Sequence, residues 1–154
     1  MIFTQIRILT PHQSHRSSDM HTEHTMTEMQ LLDPSGDAVL SIEDPNMLEK
    51  PAFLISTKVL SLASPVFSKM FGPDFKEGQL VRSSERPNIK LEHDDAPAMK
   101  IILRALHFST SDQFHTVDAK RLATIAIHCD KYDCVKALEP WIPCLLYTSP
   151  SPRD

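Results

Sequence analysis

A chain of 154 residues, 41% of them hydrophobic, can bury one domain core and is short for two domains. Its formal net charge is −4, and no run of Lys and Arg is longer than a pair, which argues against a surface that follows nucleic-acid phosphates. No apolar run approaches the roughly 20 residues that span a bilayer. We therefore expect a chain that binds neither nucleic acid nor membrane.

The cysteines indicate a reducing compartment. Cys129, Cys134 and Cys144 are odd in number and irregularly spaced, so they do not predict a disulfide framework. Free thiols are typical of proteins of the cytoplasm or nucleus. The apolar stretch at residues 2–9 has no basic segment before it and no small-residue cleavage site after it, which also predicts a non-secreted chain.

The N-terminal third divides into a polar arm and a hairpin. Residues 1–35 carry few large apolar side chains and are expected to form a disordered arm. Order is expected to begin near Gly36. Residues 38–43 alternate in polarity with a period of two, which predicts a strand. A turn at residues 44–46 leads to a second short strand at 52–56, so the two strands are expected to pair as a hairpin.

Serine residues mark the starts of two short helices after the hairpin. Ser56 is expected to cap the first helix, and Ser64, which is followed by proline, the second. The glycine and proline at 72–73 end the second helix. A long polar loop is expected from there to Pro87, and the alternation at 88–92 predicts a third strand.

Further helices are expected in the C-terminal half. The clearest begins near Asp95 and carries the i, i+3, i+4, i+7 stripe of an amphipathic helix. After a linker at 109–115, Thr116 is expected to cap the next helix, and Asp133 a last short helix that Pro140 interrupts. The two apolar stripes consist of Met99, Ile102, Leu103 and Leu106, and of Ala119, Leu122, Ile125, Ala126 and Cys129.

This order of elements predicts one α/β, or α+β, domain over residues 36–142. We expect a small, mainly three-stranded sheet flanked by about five short helices. The large apolar side chains between residues 59 and 71 are expected to lie in the core, because a domain this small needs most of them inside.

Four separated blocks of the sequence resemble the BTB/POZ domain family. Residues 53–71 resemble its signature, and 75–79 look like the Phe-x-Glu edge that follows. Residues 126–134 resemble the family's helix end with Ala-Asp-Lys-Tyr, and 138–141 resemble the close of short BTB proteins of filamentous fungi. The matching signature residues are Phe53, Val59, Leu60, Ser64, Phe67, Met70 and Phe71.

The resemblance implies a BTB/POZ fold used for protein–protein contact. Family members form homodimers, hetero-oligomers or larger assemblies. Some bring substrates to cullin-type ubiquitin ligases, others recruit transcriptional co-regulators, and few are catalytic. We therefore expect a module that self-associates or recruits a protein partner. A substrate adaptor of a cullin-type ligase is the alternative, and a tetramerisation domain of the channel-associated type is a third interpretation.

The sequence departs from the family pattern at the charged pair that usually stabilises the dimer. The signature His is Ser56 here, and the basic residue after it is Thr57, with Lys58 next to it. In dimeric members that basic residue pairs with an Asp early in the first strand, a position that Asp37 could occupy. The altered pair weakens the expectation of the usual dimer. The loop near Asp112 also lacks the apolar-x-Glu element associated with cullin binding.

Interaction candidates are expected in the loop after the second helix. Phe75 and Leu80 lie close to charged residues there, and an exposed aromatic beside charges is typical of a recognition edge. Asp37, Ser56 and Lys58, at or next to the altered charged pair, are further candidates. The candidate set is Asp37, Ser56, Lys58, Phe75, Lys76, Glu77 and Leu80.

No motif indicates an enzyme, a cofactor or a metal centre. The chain has no Gly-x-Ser-x-Gly elbow, and with only 3 glycines no Gly-rich phosphate loop. His12, His15, His21 and His24 have a spacing that could bind a metal, but their segment is expected to be disordered and holds no cysteine. A redox role for Cys129 is disfavoured, because nearby acids raise the pKa of a thiol.

The C-terminal end has an unusual composition. Residues 144–154 resemble the translation of sequencing-adapter DNA joined to a truncated transcript, and a natural Pro/Ser tail is the alternative. In either case we expect residues 143–154 to be a flexible segment outside the domain.

Overall fold

The computed structural model describes residues 28–109 and 117–146. Helices pack against one small mixed sheet, which confirms the predicted α+β class. Most of the predicted arm, most of the linker and the tail after residue 146 lie outside the described residues. The elements are β1 (Gln30–Leu31), β2 (Ala38–Glu43), β3 (Ala52–Ile55), α1 (Thr57–Ala63), α2 (Pro65–Met70), α3 (Lys76–Ser83), β4 (Asn88–Glu92), α4 (Ala96–Leu106), α5 (Ala119–Lys131), α6 (Val135–Leu138), a 3-10 helix (Glu139–Trp141) and α7 (Ile142–Leu146).

The sheet has the strand order β1-β3-β2-β4. β2 and β3 form the predicted antiparallel hairpin, with Leu40 opposite Phe53. β4 joins β2 in parallel, with Leu91 opposite Ile42. β1 pairs in parallel with β3 and lies within the segment expected to be a disordered arm. The sheet therefore has one strand more than expected. β1 has only two residues, too few to show an alternating pattern, and it takes up the strand conformation by pairing with β3.

The core lies where the inner faces of the strands meet the helices. β4 buries Ile89 and Leu91 and exposes their neighbours, as its period of two requires. α4 buries Met99, Ile102 and Leu103 and contacts the sheet, α1, α5 and α6. The amphipathic stripe predicted for α4 is therefore confirmed. Its central position lets one helix join the sheet to the C-terminal helices.

Short polar side chains define the helix starts. Ser56 and Ser64 each accept a hydrogen bond from the backbone N–H three residues later, which confirms two predicted caps. Asp95 caps α4 in the same way, at the predicted start of that helix. Thr116, the cap expected for α5, lies outside the described residues. Asp118 is the residue that caps α5, so the predicted cap was two residues early.

Asp133 ends α5 instead of capping α6. Its backbone is left-handed, with φ of 47°. Its N–H donates to the Asp130 carbonyl at 3.1 Å, and the Cys134 N–H donates to the Cys129 carbonyl at 3.0 Å. These two bonds make a Schellman motif, which satisfies the last carbonyls of the helix. The predicted cap is wrong because Cys134 takes the N-cap position of α6.

The polar stretch before β4 is helical, so the predicted long loop is wrong. α3 carries only two large apolar residues and has no strong apolar stripe. Gly78 is buried against backbone atoms that follow α2. Arg82 donates from Nη1 to the Phe71 carbonyl at 3.2 Å and to the Gly78 carbonyl at 2.7 Å. Contacts with backbone hold α3 in place, and such contacts leave no apolar pattern in the sequence.

The chain remains helical after Pro140. The 3-10 helix leads into α7, in which Leu145 is buried. Residues 143–146, expected to be flexible, therefore belong to a helix that packs on the domain. In the ranges that the structure describes, no helix has both the length and the apolar character needed to cross a membrane.

A buried carboxylate joins the start of α4 to the end of α5. Asp94 is fully buried and accepts hydrogen bonds from the Tyr132 hydroxyl and, at 2.5 Å, from Lys131 Nζ. His128 Nε2 lies 3.5 Å from the same carboxylate and accepts the Asp95 N–H at 3.0 Å. Burial, together with the bond to Asp94, raises the pKa of Tyr132, so its hydroxyl remains a donor.

Candidate interaction surface

An apolar groove with a charged rim lies between α2 and α3. Val66 and Met70 of α2 and Phe75, just before α3, form its walls, and Lys69 and Glu77 bring opposite charges to it. We call this surface the α2–α3 groove; its volume is about 390 Å³. Phe75 is 49% exposed. Exposed aromatic and methionine side chains near a polar rim are the composition of protein-recognition surfaces.

α2 presents this surface because another side of the helix is fixed in the core. Ser64 caps α2 and donates its hydroxyl to the Tyr132 carbonyl at 2.5 Å. Phe67 is fully buried, and its ring stacks on that of Tyr132 with centroids 4.6 Å apart. Val66 and Met70, one turn apart, are then left half-buried on the side that faces the groove.

The structure brings two of the predicted interaction residues into this groove, Phe75 and Glu77. Lys76 is exposed on the first turn of α3, and Leu80 is half-buried farther along that helix; neither lines the groove. Lys58 is exposed on α1 and is not part of the groove either.

Asp37 and Ser56 serve the start of α1. Asp37 accepts the Thr57 N–H at 2.8 Å with one oxygen and the Thr57 hydroxyl at 2.6 Å with the other. Ser56 caps the helix and donates its N–H to His107 Nε2 at 3.1 Å. Asp37 therefore has a neutral partner at the position where the resemblance implied a basic one.

The neutral imidazole of His107 also stabilises the start of α1. Its Nδ1–H donates to the Leu103 carbonyl at 2.9 Å, which leaves Nε2 free to accept from Ser56. Burial lowers the pKa of His107 below its ordinary value of 6.5. Protonation would place a hydrogen on Nε2, where the Ser56 N–H already points, so the charged imidazole is disfavoured in the fold.

The lowered pKa of His107 predicts a loss of stability in mild acid. Below pH 6.5 the unfolded chain protonates this histidine before the folded chain does, so the free energy of unfolding falls until the lowered pKa is reached. Above pH 6.5 both states are neutral and the effect is absent. Urea unfolding at several pH values from 7.5 to 5 tests this. The variant His107→Gln keeps an acceptor without titrating and is expected to show a shallower pH dependence; equal dependences would contradict the prediction.

Sequence reasoning did not select three residues of the groove as interaction residues. It assigned Val66 and Met70 to the core, against which both half-buried side chains do pack, and it did not consider Lys69. One signal was present: Val66 and Met70 form one i, i+4 row, and Phe67 and Phe71 form another. α2 has only six residues and can turn just one of these rows toward the core, and it buries the row that contains Phe67. Leu62 was missed as well; it is 79% exposed on α1, which packs against α2.

The α2–α3 groove is lined by three apolar side chains, one ammonium group and one carboxylate. Within residues 28–109 and 117–146 no group of three or more His, Cys, Asp and Glu side chains is placed to hold a metal ion. The four N-terminal histidines considered as metal ligands lie outside these ranges. Comparison of the chain with models of protein families and with curated proteins finds no match to either.

Proposed function

We propose that this chain is a protein-interaction module that self-associates through the α2–α3 groove. The observation that carries the proposal is the groove itself, where Val66, Met70 and Phe75 offer apolar surface to solvent. Removal of such surface from water is favourable by about 25 cal/mol per Å², from which the cost of ordering two partners is subtracted. The resemblance of residues 53–71 to the BTB/POZ signature supports the same function.

The charges at the groove suit a pairing of two identical copies. Lys69 and Glu77 have opposite signs and line the same groove. In a two-fold arrangement each surface meets its own copy, so Lys69 of one copy can approach Glu77 of the other. Charge pairs of this kind set orientation more than affinity. Leu62 on α1, the helix that packs against α2, is a further exposed apolar side chain.

Replacing Phe75 with serine is expected to raise the dissociation constant of self-association at least about 10-fold, since buried aromatic anchors contribute about 1–2 kcal/mol or more to an interface. Sedimentation equilibrium of the full chain at micromolar concentrations measures the effect. The matched control is Leu48→Ser, which removes a fully exposed leucine from the β2–β3 turn and is expected to leave association unchanged.

A chain that remains monomeric at high micromolar concentration would contradict self-association. The alternative function, a cullin adaptor, is tested on the same material by pull-down with the N-terminal domain of a cullin. Binding to a monomeric chain that is lost in Phe75→Ser and kept in Leu48→Ser would assign the groove to that role instead.

A further inference from the structure

Two thiols meet where α5 ends and α6 begins. The Schellman motif of α5 joins the Cys134 N–H to the Cys129 carbonyl at 3.0 Å. The side chains of the residues so joined commonly touch in this motif. The two thiols interact with each other, and this interaction shifts the pKa of both. The backbone conformation therefore holds the two sulfur atoms next to each other.

The two thiols differ in their access to small molecules. Cys129 lies in the wall of a groove of about 270 Å³ between α5, α6 and α7. Cys134 is fully buried and does not line that groove. We call this groove the α5–α7 groove. Its other walls are apolar side chains of the three helices, such as Leu122, Leu138 and Leu145.

We propose that Cys129 and Cys134 are an oxidisable pair, in which a peroxide attacks Cys129 from the α5–α7 groove and Cys134 resolves the product to an intradomain disulfide. Cys129 is only 6% exposed, and the groove is what gives a molecule as small as a peroxide access to it. A thiol that small molecules can reach, with a second thiol beside it, is the arrangement that such chemistry requires. The inference does not depend on self-association, because both cysteines belong to one copy of the chain and neither lines the α2–α3 groove.

The difference in access assigns the roles, since Cys129 lines the α5–α7 groove and Cys134 does not, and the pKa directions of the two thiols agree with it. The interaction with Cys134 lowers the pKa of Cys129, which makes Cys129 the thiol that ionises first. The same interaction, followed by burial, raises the pKa of Cys134. The acidic neighbour Asp133 acts on Cys134, where it also raises the pKa. The sequence-based expectation that nearby acids suppress reactivity therefore applies to the resolving thiol.

The chemistry balances with the peroxide as the only co-reactant. The Cys129 thiolate attacks one peroxide oxygen, the O–O bond breaks, and a sulfenic acid forms while the leaving hydroxide takes a proton to become water. The Cys134 sulfur then attacks the sulfenic sulfur, an S–S bond forms, and the sulfenic oxygen leaves as a second water with the Cys134 proton. Two thiols are oxidised and one peroxide is reduced.

Peptide mapping of the Cys144→Ser chain tests the proposal, since this variant removes the exposed third thiol. The reduced protein is treated with hydrogen peroxide near neutral pH, denatured, alkylated and digested with trypsin. Cleavage after Lys131 separates the two cysteines, so their disulfide links the peptides 122–131 and 132–136. We expect this linked pair, two hydrogen atoms lighter than the separate peptides, and its loss on treatment with dithiothreitol.

Two further variants assign the order of steps in the same background. Cys134→Ser is expected to lose the linked pair and to carry a dimedone adduct on Cys129, whereas Cys129→Ser is expected to carry none on Cys134. The mapping of the Cys144→Ser chain stands whether or not these variants fold. Full alkylation of both cysteines after peroxide treatment would overturn the proposal, as would oxidation of Cys129 to a sulfonic acid without a linked peptide.

Discussion

Replacing Asp94 with alanine is expected to lower the free energy of unfolding by about 3–5 kcal/mol. The reason is that Tyr132 and Lys131 both donate hydrogen bonds to this buried carboxylate and would lose their acceptor. The carboxylate is fully buried, and it accepts hydrogen bonds from Tyr132 and Lys131. The alanine variant would leave the buried Tyr132 hydroxyl without its acceptor. Urea unfolding of the variant and of the original chain at pH 7 measures the difference.

The matched control for Asp94 is Asp130→Ala, which removes an exposed carboxylate from the same end of α5. Exposed substitutions of this kind usually change stability by less than about 0.5 kcal/mol. Asp94→Asn keeps one acceptor oxygen and is expected to fall between the two. A loss below about 1 kcal/mol for Asp94→Ala would show that the buried group contributes little, contrary to the expectation from buried pairs.

Through Tyr132, Asp94 also stabilises the position of α2 and therefore the shape of the α2–α3 groove. Tyr132 donates its hydroxyl to Asp94, stacks on Phe67, and accepts the Ser64 hydroxyl with its carbonyl. Ser64 and Phe67 fix the position of α2, whose outer side forms the α2–α3 groove. We therefore expect the loss of Asp94 to loosen α2 and to weaken self-association, whereas Phe75→Ser weakens association without a large loss of stability.

Replacing Gly78 with alanine is expected to destabilise the domain by at least about 2 kcal/mol, although alanine is favoured over glycine inside a helix by about 1 kcal/mol. An added Cβ at this position would lie 1.8 Å from the Gly72 carbonyl oxygen and 2.6 Å from backbone atoms of Phe71. These are backbone atoms, so a side-chain rotation cannot relieve the clash. α3 would have to move away from α2, and the α2–α3 groove would change shape with it.

The control for Gly78 is Ser83→Ala, which makes an exposed substitution at the end of the same helix. It is expected to leave both stability and self-association nearly unchanged. Thermal unfolding and sedimentation of the two variants measure the effects. An alanine variant at Gly78 more stable than the original chain would mean that helix propensity dominates and that the close approach of α3 to α2 is not tight.

The sequence by itself determined the elements whose signals are local. Alternating polarity over residues 38–43 and 88–92 predicts strands, since successive side chains point to opposite faces. The caps at Ser56 and Ser64 are equally local, because each satisfies a backbone donor three residues along the chain. The α+β class follows from the order of such elements.

Only the tertiary structure decided the features that depend on distant parts of the chain. β1 exists through its pairing with β3, and α3 is held through Gly78 and Arg82 against the chain after α2. The candidate groove depends on both helices. The sequence indicated Phe75 and Glu77 as interaction residues, whereas Val66 and Met70, expected in the core, pack against it and also line the groove. The contact of Cys129 with Cys134 likewise needs the left-handed turn between them. The pairing of β1 and the position of α3 are set by contacts with backbone, and the groove and the thiol pair by the packing of neighbouring helices; neither kind of contact leaves a periodic pattern in the sequence.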